Sequence, residues 1–402
     1  MAVITIIGAG MMGSGMSRPA RDNGHEVRLV GTPLDRDIIS EARISGRHVP
    51  MKRQLPDGIK YYQIEELSAA LEGTEYIICG VSSFGVEWFR ENILEQLIPG
   101  VPVLSVTKGL LNYPDGSVKT FPAYLEESLP ERLRGRVSFS AIGGPCTSYE
   151  LMDRHQTMVY FCGEDTGALK QFQKLLTTGY YHPDISTDVL SVEMCVALKN
   201  AFAVAVSMGI GLAEKLEGAD AYMYNPQAAL FGQSLREMGR LLKLYGGNAD
   251  FACGIPGAGD LYVTIFGGRT RKLGYLLGDL GLSLLWSPDA PHSAEGIHIE
   301  RQVIKLIVIY GNGGIDIVVE IGKSVNVIPD FLIGGMEYMS TVLMDVYALY
   351  LLTVYVAADM VSLINNQAAL AALGSFVSKN RAEKPGSNYK IIILFHNKRP
   401  FR

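Results

Sequence analysis

Cysteine is scarce in this 402-residue sequence: Cys79, Cys146, Cys162, Cys195 and Cys253, an odd number, with no Cys-x-x-Cys pair and no Cys/His cluster. That scatter supplies neither a disulfide framework nor a metal site, and it suits a reducing, cytoplasmic compartment. An excess of either charge is missing too. Lys and Arg number 36 against 41 Asp and Glu, a net −5, which gives no reason to expect a nucleic-acid partner. The first residues carry no basic region ahead of an apolar core, so no secretory leader is expected. Long apolar runs are few. Residues 194–213 are long enough to cross a bilayer, but Lys199 and Asn200 lie well inside the run. A buried core helix is the expectation, with no membrane span. The run 346–358 falls below the roughly 20 residues a span needs.

What is present is the material of a globular protein, 48% hydrophobic and 19% charged, long enough for two or three domains. Residues 1–187 alternate short β-branched runs with helical patterns, as a parallel sheet with crossover helices does. Strands are expected at 3–7, 26–30, 76–79, 103–105, 137–141 and 158–161, and Asn23-Gly24 ends the first helix. After Asp188 helical periodicity dominates, with 226–242 one amphipathic example. The expected division is an α/β domain at 1–187, a helical domain at 188–345 and an atypical extension at 346–402. Residues 343–358 read as a buried helix. Residues 379–402 carry seven Lys and Arg against one Glu. The apolar segment 389–395 would make a strand without an evident partner, so a solvated tail is preferred to a patch for an anionic partner.

Gly8, Gly10 and Gly13 form Gly-x-Gly-x-x-Gly between the first strand and the first helix. In that setting the first glycine permits the tight turn and the second lets a pyrophosphate approach the backbone. The third permits close helix–strand packing. The helix start, with Met11 and Met12, then presents free amides and a partial positive charge to the phosphates. An acid commonly ends the second strand to hold the ribose hydroxyls. Here Gly31 and Thr32 stand there, followed by Asp35 and Arg36. Thr32 and Arg36 would receive a 2′-phosphate, whereas Asp35 would favour NAD. The reading leans to NADP, with NAD left open.

Lys199 is the only ionisable side chain between Met194 and Ala213 apart from a thiol. Burying a lone ammonium is costly and lowers its pKa towards the range useful for proton transfer. A lysine kept there is therefore read as having a functional task, in a redox reaction given the nucleotide-binding turn. Thr107-Lys108-Gly109 and Gly143-Gly144-Pro145-Cys146 each follow a strand, at the edge where ligands bind in such sheets. Gly254 to Asp260 is a glycine-rich turn leading into a helix, with Asp260 and Thr264 four apart on one face. Gly267-Gly268-Arg269-Thr270-Arg271 combines free amides with a guanidinium, which suits a phosphate.

Together these residues resemble the NAD(P)-dependent glycerol-3-phosphate dehydrogenases. The likeness runs from Met1 to about residue 300 through Gly8–Gly13, Thr107-Lys108-Gly109, Gly144-Pro145, Ala197-Leu-Lys199-Asn200, Gly259-Asp260-Leu261, Arg269 and Glu295-Gly296. It implies a Rossmann-like N-terminal domain and an all-helical C-terminal domain of the 6-phosphogluconate-dehydrogenase type. It also implies reversible hydride transfer between dihydroxyacetone phosphate and glycerol 3-phosphate, which supplies glycerophospholipid synthesis, and a homodimer. By the same resemblance Lys199 is the acid/base, Asp260 its neighbouring carboxylate and Lys108 the lysine that orients substrate and cofactor. Asn200, Thr264, Gly268, Arg269 and Thr270, with Gly144 and Cys146, belong to the substrate set. Glu295 and Arg269 contact the cofactor, as does Ser148. Thr270 stands where the family usually has Asn, and Cys146 where it has Ser, Thr or Ala. Two other readings are weighed against this one. A ketopantoate-reductase-like enzyme needs no phosphate cluster, and a sensor that binds NAD(P) without catalysis would oxidise no cofactor.

Overall fold

The computed structural model describes residues 1–112, 117–218, 224–268, 270–275, 304–311, 314–321 and 390–393. The chain divides into two compact units, Met1–Ala197 with Leu242–Val263, and Leu198–Leu241 with Thr264–Arg402.

The strands of the first unit are β1 (Val3–Ile7), β2 (Glu26–Val30), β3 (Arg47–His48), β4 (Arg53–Gln54), β5 (Lys60–Tyr62), β6 (Tyr76–Cys79), β7 (Val103–Ser105), β8 (Leu110–Asn112), β9 (Val118–Thr120), β10 (Phe139–Gly143), β11 (Thr157–Gly163) and β12 (Tyr181–Ser186). Eight of them make one sheet in the order β12-β11-β10-β7-β6-β1-β2-β5. Pairing is parallel except between β10 and β11. The reversal of strand order on either side of β1 is the doubly wound arrangement, which binds ligands beyond the carboxyl ends of its strands.

The helices α1 (Met11–Asp22), α2 (Arg36–Ser45), α3 (Leu67–Leu71), α4 (Gly85–Asn92), α5 (Phe121–Glu127), α6 (Ser148–Met152) and α7 (Thr166–Leu176) cover this sheet. Because strand side chains alternate, both faces must be apolar. Ile4, Ile6, Val27 and Leu29 face one core with Met16 of α1, Ile39 of α2 and Phe172 of α7. Ile7, Val30, Ile77 and Cys79 face the other with Phe89 of α4 and Phe121 of α5. Strands β5 and β12 and the two small hairpins were not expected. β5 and β12 carry polar residues such as Lys60, His182 and Asp184 and sit at the sheet's edges, where the apolar signal is weakest.

The apolar run around Lys199 lies in α8 (Val189–Glu217), a helix long and apolar enough to cross a membrane whose apolar stretch is mostly buried in the protein. It is followed by α9 (Tyr224–Leu244), α10 (Asp250–Cys253), a short π-type segment at Ile255–Gly259 and α11 (Asp260–Phe266). Further on, β13 (Ile304–Gly311) pairs antiparallel with β14 (Gly314–Ile321) and with β15 (Lys390–Ile393). The strand expected at 389–395 thus pairs with β13, for which the helical reading of 188–345 had made no provision. The helix expected at 343–358 lies outside the described residues.

Candidate active site

The turn from β1 to α1 is shaped by close packing. Gly8 has φ +110°, and a Cβ there would come 2.6 Å from the carbonyl carbon of Gly80. At Gly13 it would come 2.2 Å from the Gly8 oxygen and 3.1 Å from the Gly80 Cα. Gly10 is different: among the described residues a Cβ would come no nearer than 4.0 Å, to the Gly80 oxygen. Protein packing therefore requires glycine at 8 and 13, while the space over Gly10 is left for something else. Gly10 is the N-cap of α1 and has no side chain to occupy the helix's first amides. Open space over bare amides at a helix start fits the diphosphate of a dinucleotide. Met11 and Met12, in the first turn of α1, are half-buried against the core. Ser148 begins α6 and is buried, its Cα and Cβ 3.6 Å from where a Gly15 Cβ would stand.

At the end of β2, Arg36 is exposed and paired with Glu65. The Thr32 hydroxyl donates to Asp35 Oδ2 at 2.8 Å.

At the ends of β7 and β10 a charged pair forms. Lys108 Nζ donates to Asp260 Oδ2 at 2.7 Å and to the Gly144 oxygen at 2.8 Å. The Thr107 hydroxyl fixes the preceding residue by donating to the Val81 oxygen at 2.7 Å. Asp260 is the first residue of α11, where a carboxylate also favours the helix start. Its side chain is 3% exposed and that of Lys108 is 22% exposed. Such a pair is screened far less than a surface ion pair, and removing one partner leaves a charge with poor solvation. Cys146 is half-buried in the loop that begins with Gly144.

Glu193 of α8 lies close enough to Lys108 to feel its charge. Its carboxyl is wholly buried, neither oxygen has a hydrogen-bond partner among the described residues, and burial pushes its pKa up to about 8 against the opposing pull of Lys108. Its protonated form is therefore favoured at neutral pH. The sequence offered only an acid just ahead of an apolar run, a signal too common to single it out.

In the second unit Lys199 is buried in α8. Asn200 accepts a hydrogen bond at Oδ1 from the Thr270 hydroxyl at 3.4 Å, and Thr270 is buried. Threonine at 270 is therefore coupled to a residue of the expected substrate set. Thr264 is half-buried. Gly268 is exposed with φ +86°, and a Cβ there would meet no atom within 4 Å among the described residues. Arg269 and Glu295 lie outside the described residues.

A doubly wound sheet, a glycine turn with room for a diphosphate, and a lysine paired with a carboxylate at the strands' carboxyl edge define a nucleotide-dependent oxidoreductase. A family model for the N-terminus of NAD-dependent glycerol-3-phosphate dehydrogenase matches residues 3–168, and one for its C-terminus matches residues 188–325. The chain is 34% identical over 282 residues to the NADP(+)-dependent glycerol-3-phosphate dehydrogenase of Archaeoglobus fulgidus, over 70% of this chain and 81% of that protein. It is 31% identical over 262 residues to the NAD(P)+ glycerol-3-phosphate dehydrogenase of Streptococcus gordonii, over 65% and 73%. A solved glycerol-3-phosphate dehydrogenase from Coxiella burnetii aligns with a TM-score of 0.59 at 26% identity, over 69% of this chain and 80% of that one.

The chain belongs to the NAD-dependent glycerol-3-phosphate dehydrogenase family. It is an NAD(P)-dependent oxidoreductase with a small phosphorylated substrate, and neither alternative reading is favoured.

Proposed function

We propose that this chain interconverts dihydroxyacetone phosphate and glycerol 3-phosphate, with Lys199 as acid/base. Gly8, Gly10 and Gly13 and the first amides of α1 would hold the cofactor's diphosphate. When bound, the nicotinamide supplies or accepts the hydride. Lys199 gives a proton to the oxygen that becomes the alcohol and takes it back in the reverse direction, and its charge stabilises the developing alkoxide. Lys108 is held by Asp260 and Gly144 and orients the reacting end. By the family resemblance Asn200, Thr264, Gly268, Arg269 and Thr270 bind the phosphoryl oxygens, and Gly144 and Cys146 also serve the substrate. Arg269, Ser148 and Glu295 complete the cofactor's surroundings.

The observation that carries this reading is the pairing of half-buried Lys108 with buried Asp260 at the strands' carboxyl edge. A cytoplasmic location is supported by the five scattered cysteines, which form no disulfide among the described residues. A homodimer rests on the family resemblance. The test is a steady-state assay of NADPH and NADH oxidation with dihydroxyacetone phosphate, run on the wild type and on Lys199→Ala. The wild type turns over. The variant loses about 100-fold or more of its turnover, the scale of a lost general acid, while still binding cofactor. Near-normal turnover in Lys199→Ala would refute the assignment.

A further inference from the structure

The acid near the end of β2 turns inward. Asp35 is buried, and its Oδ2 accepts from the Ala9 amide at 3.0 Å, the Thr32 amide at 2.9 Å and the Thr32 hydroxyl at 2.8 Å. Ala9 is the residue between Gly8 and Gly10, so the first of these bonds ties β2's loop to the diphosphate turn. The carbonyl oxygen of Ala9 is held from elsewhere. It lies 2.9 Å from Nε2 of His48, a residue with no exposed surface. The Met51 amide donates to Nδ1 of the same ring at 3.1 Å. A ring nitrogen that accepts carries no proton, so the proton sits on Nε2 and is given to Ala9. Burial pushes the His48 pKa down and favours this neutral form.

Both hydrogen-bonding groups of Ala9 are thus engaged, its amide by the Asp35 carboxylate and its carbonyl by a neutral imidazole and by the Ser14 hydroxyl, which donates to it at 3.0 Å. A glycine-flanked turn is otherwise among the most freely rotating pieces of backbone. Fixing it before the cofactor arrives removes an ordering cost from binding.

We propose that Asp35 and His48 are positioning residues that clamp Ala9 and preset the diphosphate turn, and that Asp35, being spent on the backbone, does not select NAD through the ribose. The charge of that carboxylate is taken up by three donors, and the exposed Arg36 guanidinium, shared with Glu65, is the cation at hand for a 2′-phosphate. The proposal rests on the reading of the chain as a nucleotide-dependent enzyme and goes beyond it in naming what shapes the turn and what does not choose between the two cofactors.

The test is direct fluorescence titration of NADPH and NADH into the wild type, His48→Phe, His48→Gln and Asp35→Asn, with thermal melts of each. Losing one hydrogen bond to the turn weakens binding about fivefold to tenfold. In His48→Phe this loss is the same for both cofactors, and kcat at saturating NADPH is retained. His48→Gln, whose side-chain amide donates to Ala9, recovers most of the affinity. In Asp35→Asn the ratio of NADPH to NADH affinity stays at its wild-type value. Unchanged affinity in a folded His48→Phe, or a tenfold change of that ratio in Asp35→Asn, overturns the proposal. Should His48→Phe fail to fold, the Asp35→Asn ratio decides alone. Wild-type nucleotide binding without turnover of dihydroxyacetone phosphate would sink the reaction assigned above and leave the clamp standing.

Discussion

Two glycine-rich turns lead into helices in the first unit, and they use the helix start in opposite ways. At Gly8–Gly13 the chain packs tightly at the first and third glycines and leaves open space at the second, over the bare amides of α1. At Gly254–Gly259 the chain is also tight. A Cβ at Gly257 would come 2.2 Å from the Ala252 oxygen, and the Gly259 amide bonds back to the Gly254 oxygen at 3.1 Å. There the helix start receives a carboxylate from the chain itself, Asp260, already bound to Lys108. Both turns exploit the attraction of a helix N-terminus for negative charge. One keeps it for a ligand and the other satisfies it internally, which fixes a charged pair.

The comparison breaks most severely at the tight positions. Gly13→Ala adds a methyl 2.2 Å from the Gly8 oxygen, and the backbone must move. An exposed helical Gly→Ala would gain about 1 kcal/mol, so the sign of the change is diagnostic. Chemical denaturation is expected to show a loss of more than about 2 kcal/mol.

Next comes the internal anion. Asp260→Asn leaves Lys108 without its carboxylate and is expected to lower turnover about 100-fold, as removal of a preorganised charge does. NADPH binding should change little, since the diphosphate turn is untouched. Kinetics and nucleotide titration on the same preparation check both halves.

A smaller effect concerns Glu193. Its carboxyl titrates near 4.3 when unfolded and is pushed up to about 8 in the fold. The native state therefore holds a proton that the unfolded chain releases, and wild-type stability falls as pH rises through that window. The amide of Glu193→Gln has no such proton to lose. The stability of this variant relative to wild type should rise by more than about 1 kcal/mol between about pH 5 and about pH 8. A pH-independent difference would mean that Glu193 is ionised and has a partner.

Much of this was legible in the sequence for a physical reason. β1, β2, β6 and β7 are interior strands with apolar residues on both faces, and their bounds follow from composition. Lys199 stood out because an ammonium in an apolar run is costly. Lys108 and Asp260 were each visible as candidates, but their bond spans 152 residues of sequence, and no local pattern encodes it. The same holds for His48 and Ala9, 39 residues apart. Asp35 was visible and its direction was not, because a carboxylate near a strand's end has the same letter whether it faces a ribose or a backbone amide.

The central claim is that the space over Gly10 is reserved for a diphosphate. Titration of NADPH into Gly10→Ala tests it most directly. Among the described residues alanine meets no atom nearer than 4.0 Å there, so folding stability should stay within about 1 kcal/mol, the scale of an N-cap change. NADPH affinity should fall at least about tenfold, or about 1.4 kcal/mol. Wild-type affinity in a folded Gly10→Ala would contradict the claim.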